Sequence, residues 1–346
     1  MRVALLAPSV RGAMGQYLEA LSAPLSTYVE LFLFVPEHFR GEVGHASVHR
    51  FVTGHRRHDT LVRLLNPMAA LEVWRMVRAI RPDVIHLFNG EGYPWSLLWA
   101  WWAKLDKLPL FVTLHDPEPH PGNLWETMNA RLRRYVLKRA HSVHVHSRRF
   151  LKVAEAQGAK EVKIIPHGSL AERFLRHRKE GIAREQMALF FGRLEAYKGL
   201  DILVEAGIYL KGQLRIVIAG PGRLPLPLLN LIQRHPEIFE LHNRYLEDQE
   251  VSELFQRASV CVLPYIQATQ SSLPLISAAF GVPVVASALG GFVEDVPRVG
   301  GVLVPPGDPK ILARAMLDSI QKTPIFPPNL SFTQLASEFV AWYDQR

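Results

Sequence analysis

Met187-Ala188-Leu189-Phe190-Phe191-Gly192-Arg193-Leu194-Glu195-Ala196-Tyr197-Lys198-Gly199-Leu200-Asp201 reads as a buried strand, a glycine turn carrying two cations, and the mouth of a helix. The strand shows no polar alternation, so both its faces are expected to be covered, as in a parallel sheet wrapped by crossover helices. The same punctuation recurs in both directions. Upstream, strands are predicted at Val3–Ala7, Leu31–Val35, Val48–Val52, Val84–Leu87, Leu110–Leu114, Ser142–His146 and Val162–Ile165, with helices around Tyr17–Leu21, Ala69–Ile80, Ser96–Leu105, Trp125–Lys138 and Arg149–Ala156. Downstream, strands follow at Leu214–Ala219, Phe239–His242, Val260–Leu263, Val282–Ala286 and Val302–Val304, with helices near Leu200–Leu210, Asp248–Arg257, Leu273–Phe280 and Lys310–Ile320. The fold class is α/β.

With 346 residues, 48% hydrophobic and 21% charged, the chain can bury enough surface for two domains. Pro166-His167-Gly168 and the polar stretch after it mark the boundary. This gives an N-terminal domain over 1–168 and a C-terminal domain over 169–328. Beyond the prolines at 324–328, Phe332, Leu335, Phe339 and Trp342 recur at helical spacing, so residues 329–346 are expected to dock a last amphipathic helix on the first domain.

Composition narrows the setting. Lys and Arg total 40 against 32 Asp and Glu, a formal charge of +8 that suits anionic partners. The single cysteine, Cys261, lies in an apolar run, excludes an internal disulfide and fits a core position in a reducing, cytoplasmic compartment. The first apolar run is too short for a signal peptide, and Trp95–Ala103 is about half the length that spans a bilayer. The tryptophans around Trp99 are expected to pack a core helix. Arg131, Arg133, Arg134, Lys138, Arg139, Arg148, Arg149 and Lys152 form a basic cluster that suits either a solvated face or peripheral contact with anionic membranes.

In open α/β sheets ligands bind beyond the carboxyl ends of strands. Three segments there carry chemistry. Gly12 and Gly15, ahead of a helix, let backbone approach an anion, or simply make a tight turn. Arg193 and Lys198 suit a diphosphate, Arg as a planar fork and Lys as a compact charge. Gly290-Gly291, after an apolar strand, offers backbone amides to an anion. Gly220-Pro221-Gly222 lacks the third glycine and acidic residue of a dinucleotide fingerprint, which argues against an oxidoreductase.

Gly192-Arg193-Leu194 with Lys198-Gly199-Leu200-Asp201, Gly281-Val282-Pro283-Val284-Val285-Ala286, Gly290-Gly291 with Glu294, and Val304-Pro305-Pro306-Gly307-Asp308 together resemble family 4 glycosyltransferases. The likeness extends more thinly to Gly12–Gly15, His115-Asp116 and the Ile165–Gly168 linker. It implies the GT-B fold, with two Rossmann-like domains whose parallel sheets face a central cleft. It also implies a metal-independent transferase that retains anomeric configuration. A nucleotide-sugar donor would be held mainly by the second domain, and a glycan, lipid-linked or small-molecule hydroxyl acceptor would enter from the first. No cofactor and no nucleic acid are expected. By motif match Arg193 and Lys198 take the diphosphate role, Gly290 and Gly291 the phosphate-side loop, and Gly12 and Gly15 the first-domain loop. His115 takes the role of the histidine that meets the donor sugar and is the first choice as a catalytic residue. A hydrogen-bonded loop histidine, or a metal ligand with Asp116 and His120, are its alternatives. His144 and His146, two apart on a strand, share a face and are expected to be structural.

One departure stands out. The family's two glutamates, spaced Glu-x7-Glu, fall by count on Thr269 and Ser277, which offer no carboxylate. Ribose recognition is then expected to use Thr269, Gln270, Ser271, Ser272 and Ser277. The same loss motivates the alternative of a non-catalytic subunit that binds a nucleotide sugar or glycan.

Overall fold

The computed structural model describes residues 1–10, 12–53, 63, 65–115, 124–267 and 271–346. The chain divides into two compact units, 1–168 with 329–346, and 169–328. In the first, strands β1 (Arg2–Leu6), β2 (Glu30–Pro36), β3 (Ser47–Phe51), β4 (Val84–Leu87), β5 (Leu110–Thr113), β6 (Ser142–Val145) and β7 (Val162–Ile164) form a sheet in the order β3-β2-β1-β4-β5-β6-β7. Every pairing is parallel. Between them lie α1 (Ala13–Leu25), α2 (Pro67–Ala79), α3 (Pro94–Leu105), α4 (Leu124–Leu137) and α5 (Leu151–Ala156). Asn66 caps α2 by accepting from the Met68 amide, and Pro67 fills the first turn, where a missing N–H costs nothing.

In the second unit, β8 (Met187–Phe191), β9 (Arg215–Ala219), β10 (Phe239–His242), β11 (Val260–Leu263), β12 (Val284–Ser287) and β13 (Val302–Val304) form the order β10-β9-β8-β11-β12-β13, again all parallel. Its helices are α6 (Ala171–Leu175), α7 (Leu200–Tyr209), α8 (Leu226–Arg234), α9 (Asp248–Arg257), α10 (Leu273–Ala279), α11 (Phe292–Arg298) and α12 (Pro309–Ser319). Glu247 and Glu250 close a capping box on α9, and Asp308 caps α12 through the Lys310 and Ile311 amides. The final helix α13 (Phe332–Tyr343) belongs to the first unit.

Sequence periodicity missed α6, α8 and α11. Pro225 and Pro227 sit at the entry to α8, where proline is tolerated.

The two faces of the first sheet differ in chemistry. One is apolar, with Trp74, Trp95 and Trp99 buried beneath α2 and α3; Trp101 points outward, 47% exposed. The other carries polar side chains on three adjacent strands: His86 on β4, Thr113 on β5, Ser142 and His144 on β6. A buried polar group must be hydrogen-bonded or cost a few kcal/mol. α13 and a strand-end carbonyl supply the partners. The Trp342 indole donates to Ser142 Oγ at 2.7 Å. Tyr343, His86, Thr113, His144 and the Ile165 carbonyl are linked at 2.7, 2.8, 3.1 and 2.8 Å.

The carbonyl fixes the direction of the protons. Ile165 O can only accept, so His144 Nε2 donates and its Nδ1 accepts from Thr113. Thr113 in turn accepts from His86 Nε2, whose Nδ1 accepts the Tyr343 hydroxyl proton. Tyr343→Phe would leave the buried His86 Nδ1 without its donor. We expect a loss of about 1–3 kcal/mol in the denaturant midpoint analysis of the intact chain. An unchanged midpoint would show that the Tyr343–His86 hydrogen bond adds nothing to the hold on α13.

Candidate active site

In each unit the strand order reverses beside the first strand, where β1 lies between β2 and β4, and β8 between β9 and β11. Such reversals open the crevice in which α/β proteins bind ligands. Of the candidate residues, Gly12 and Gly15 follow β1 and Arg193 and Lys198 follow β8.

In the second unit, Arg193 to Lys198 follow β8. Arg193 pairs with Glu195 at 2.7 Å and stays 65% exposed. Lys198 Nζ donates to the Tyr265 hydroxyl at 2.5 Å and lies 3.8 Å from the centre of that ring. Burial and the neighbouring Arg193 pull the Lys198 ammonium down to about 7, with Glu195 opposing. A cation desolvated beside another cation is a site short of negative charge. Tyr265, which follows β11, is itself buried, and Ser271 hydrogen-bonds it.

This convergence depends on glycine. A Cβ on Gly199, which sits at φ 66°, would stand 1.9 Å from the Pro264 carbonyl oxygen, and one on Gly220 (φ 138°) would stand 2.0 Å from that of Gly192. Gly220-Pro221-Gly222 therefore serves to lay the β9 loop against the β8 loop, where Leu194 bridges Gly222. Between these loops, with Arg223 and Tyr245 at its rim, lies a recess of about 410 Å³, within the range of small-ligand sites.

The other predicted residues of this unit divide. Ser271 and Ser272 stand, half-buried, at the entry to α10, and Ser271 Oγ accepts from the Leu273 amide. Gly290 adopts φ 54° and Gly291 caps α11. Thr269 and Gln270 lie outside the described residues, as do Asp116 and His120 in the first unit. Ser277 departs from expectation. It is fully buried, donates to the Val282 carbonyl at 2.8 Å and touches the Cys261 thiol, which burial pushes up to about 12. It packs the core and does not line the site.

In the first unit, Gly12 (φ 60°) precedes α1, and the Gly15 amide donates to the Gly12 carbonyl at 3.2 Å. His115, one residue beyond Leu114 at the end of β5, lies against Phe88 and Tyr17 with ring centres 4.8 and 5.2 Å away. Its Nδ1 is 2.9 Å from His146 Nε2. Tyr17 also meets His167, at 4.9 Å. Burial is the main force holding these imidazoles neutral: it takes His144 and His167 down to about 4 and His86, His115 and His146 well below the usual range. Among the described residues no group of three or more His, Cys, Asp or Glu could hold a metal ion. In the basic cluster, Arg133 turns onto Glu91 at 3.1 Å, both side chains being 11% exposed. No helix of the described residues is long and apolar enough to cross a membrane.

Tyr265 and the His115–His146 pair were not singled out together by sequence. An aromatic directly after the β11 strand was the available signal for the first. For the second it was the His144/His146 spacing.

Comparison with known proteins gives this geometry a setting. Residues 5–168 match the family model described as a glycosyl transferase 4-like domain, and residues 185–322 match glycosyl transferases group 1. An uncharacterised glycosyltransferase of Methanocaldococcus jannaschii is 32% identical over 136 residues, 37% of this chain and 34% of the relative. O-antigen chain mannosyltransferase C of Escherichia coli is 27% identical over 179 residues, 47% of each chain. The chain thus spans about a third to a half of the length of these curated relatives. Solved structures align over nearly everything. The HepE protein of Anabaena in complex with UDP has a TM-score of 0.71 at 19% identity, covering 99% of this chain and 95% of that one. The catalytic domain of starch synthase IV from Arabidopsis thaliana, bound to ADP and acarbose, has a TM-score of 0.71 at 14% identity, covering 99% and 98%. The likeness shows the fold, GT-B with two Rossmann-like domains.

Two outcomes follow. Ser277→Glu would bury a carboxylate without a partner and should cost about 3 kcal/mol or more, seen as a lowered Tm or insoluble protein. A variant as stable as the parent would return Ser277 to the ligand site. The neutral imidazoles have folded values below the unfolded 6.5, so their stabilisation is complete above that pH and lost as pH falls towards about 4. Each should contribute a slope of about 1.4 kcal/mol per pH unit in that window. Urea midpoints that stay flat from pH 7 to 5.5 would rule the neutral cluster out.

Proposed function

We propose that this chain, both halves of which match glycosyltransferase domains, moves a sugar from a nucleotide-sugar donor to a hydroxyl acceptor, with retention of configuration and without a metal. One observation carries the reading: Lys198 is desolvated beside Arg193 on a glycine-built loop at the strand-order reversal, and Arg193 lines a recess of small-ligand size. That is a place for a diphosphate. The HepE protein, similar in fold, was solved with UDP and with UDP-glucose, which supports a nucleotide sugar as the donor class.

In the reaction the bond between the anomeric carbon and the diphosphate oxygen breaks while the bond to the acceptor oxygen forms on the same face. The departing phosphate oxygen takes the acceptor's proton. Negative charge grows on the diphosphate, and Arg193 and Lys198 stabilise it more in the transition state than in the bound donor, which is what accelerates the step. Two side-chain cations stand where other enzymes place Mg²⁺. Tyr265 holds the ammonium by hydrogen bond and ring face, and Ser271 holds Tyr265. Gly12, Gly15, Gly290 and Gly291 contribute backbone to the phosphate and sugar; Ser271, Ser272, Thr269 and Gln270 take the nucleotide side. His115 meets the donor sugar. The basic helix α4 and its neighbours suit a lipid-linked acceptor met at an anionic membrane.

Nucleotide sugars that bind should raise the Tm of the folded chain, and a screen by thermal shift identifies the donor. Arg193→Ala or Lys198→Ala should then lower kcat by about 10²-fold or more with little change in Tm. Near-parental turnover in both would remove them from the chemistry, and activity abolished by chelation and restored by a divalent ion would overturn the metal-free reading. Because Lys198 is part-deprotonated at pH 7, diphosphate binding should take up a proton, and affinity should fall as pH rises above 7. Calorimetry in buffers of different ionisation enthalpy reads that proton; none taken up would place the diphosphate elsewhere.

A further inference from the structure

His115 Nδ1 lies 2.9 Å from His146 Nε2, and His146 Nδ1 lies 3.3 Å from the Ile165 carbonyl oxygen. That oxygen also receives His144 Nε2 at 2.8 Å, so both its lone pairs have an imidazole nitrogen opposite them. A neutral imidazole has one proton to give. If His146 spends it on Ile165, its Nε2 must accept, and the proton between the two rings belongs to His115 Nδ1. His115 Nε2 then carries a lone pair. This atom is buried and makes no hydrogen bond of normal geometry among the described residues; the Phe88 carbonyl, which favours a proton on the ring, lies outside that geometry, whereas the Ile165 carbonyl is within it of His146. The opposite assignment would leave His146 Nδ1 with a bare lone pair against a carbonyl lone pair in the buried interior.

We propose that His146 is a positioning residue: it accepts the Nδ1 proton of His115 and so holds His115 in the tautomer whose Nε2 accepts a hydrogen bond from a hydroxyl of the bound sugar. The inference rests on the reading of His115 as the residue that meets the donor sugar. It adds the direction of that contact. His115 is an acceptor for a hydroxyl, not a cationic donor to a phosphate. The groups packed around the pair favour this neutral state. Tyr17 from α1 lies edge-on to the His115 ring, and its own hydroxyl lacks a partner among the described residues. Phe88 from β4, His144 from β6 and His167 from the linker complete the surroundings. Those that titrate are His144, His167 and Tyr17. Among the described residues, no carboxylate is one of the groups acting on His115.

The test reads tautomers before activity. In the intact chain labelled with ¹⁵N-histidine, with His115 and His146 assigned by single substitution, His115 should show a protonated Nδ1 and an unprotonated Nε2 at pH 7. His146→Gln keeps an amide oxygen to accept from His115 and an amide N–H for Ile165, so it should preserve that pattern and most of kcat. His146→Phe removes the acceptor, so the two His115 tautomers should mix and kcat should fall on the order of tenfold or more at nearly unchanged KM. A protonated Nε2 in the parent chain overturns the proposal. So does a His146→Phe variant whose His115 tautomer is unaltered, and the parent spectrum decides even if that variant does not fold. His115→Ala separates the two readings: full activity there, with the tautomer pattern as described, would reject the sugar contact while leaving the His146 assignment standing.

Discussion

A parallel sheet covered by helices has no wet face, so any polar side chain on its strands must find its partner inside the protein. This constraint organises the first unit. His86, Thr113, Ser142 and His144 stand on β4, β5 and β6, and cross-strand register, with Thr113 opposite His144, puts them within reach of one another. Their chain of hydrogen bonds needs a carbonyl at one end and a hydroxyl at the other. Ile165, at the far end of the sheet edge, and Tyr343, from a helix nearly two hundred residues along, supply them. The return of residues 329–346 to this unit is thus a polar requirement as much as an apolar one.

The second unit meets a different demand. Its cations must stand close together without carboxylates to neutralise both, and the backbone must come near enough to reach a ligand. Glycine provides the approach at Gly199 and Gly220, where a methyl group would overlap a carbonyl oxygen. The ring and hydroxyl of Tyr265 then hold Lys198 in place without cancelling its charge. The two units share a topology and a site position at the strand-order reversal, yet one concentrates neutral imidazoles and the other concentrates cations.

Much of this was legible from sequence. Short β-branched and apolar runs located the strands to within a residue or two, even where β3, β6 and β10 carry polar side chains, and the Phe332–Trp342 periodicity located the last helix. Helices α6, α8 and α11 were missed where proline or short length broke the period. The position of Arg193 and Lys198, proposed for the diphosphate, was legible because they follow a strand and are separated by a short turn. Ser277 was misread because counting along a chain fixes position, not surroundings: residues 273–278 of α10 are all buried, and Ser277 spends its hydroxyl on the Val282 carbonyl. The partnership of His115 with His146 is a matter of register between β5 and β6, which no local pattern encodes.

The chain enters the second unit at residue 169 and leaves it at 328, so that unit is one continuous segment inserted into a first unit made of two. During synthesis the seven strands of the first sheet emerge before the inserted unit, but the helix that satisfies His86 and Ser142 emerges after it. The inserted unit has every element it needs before the enclosing one does. The hydrogen bonds that α13 gives His86 and Ser142 therefore cannot form until the inserted unit has been made, so the enclosing unit is completed around one already synthesised.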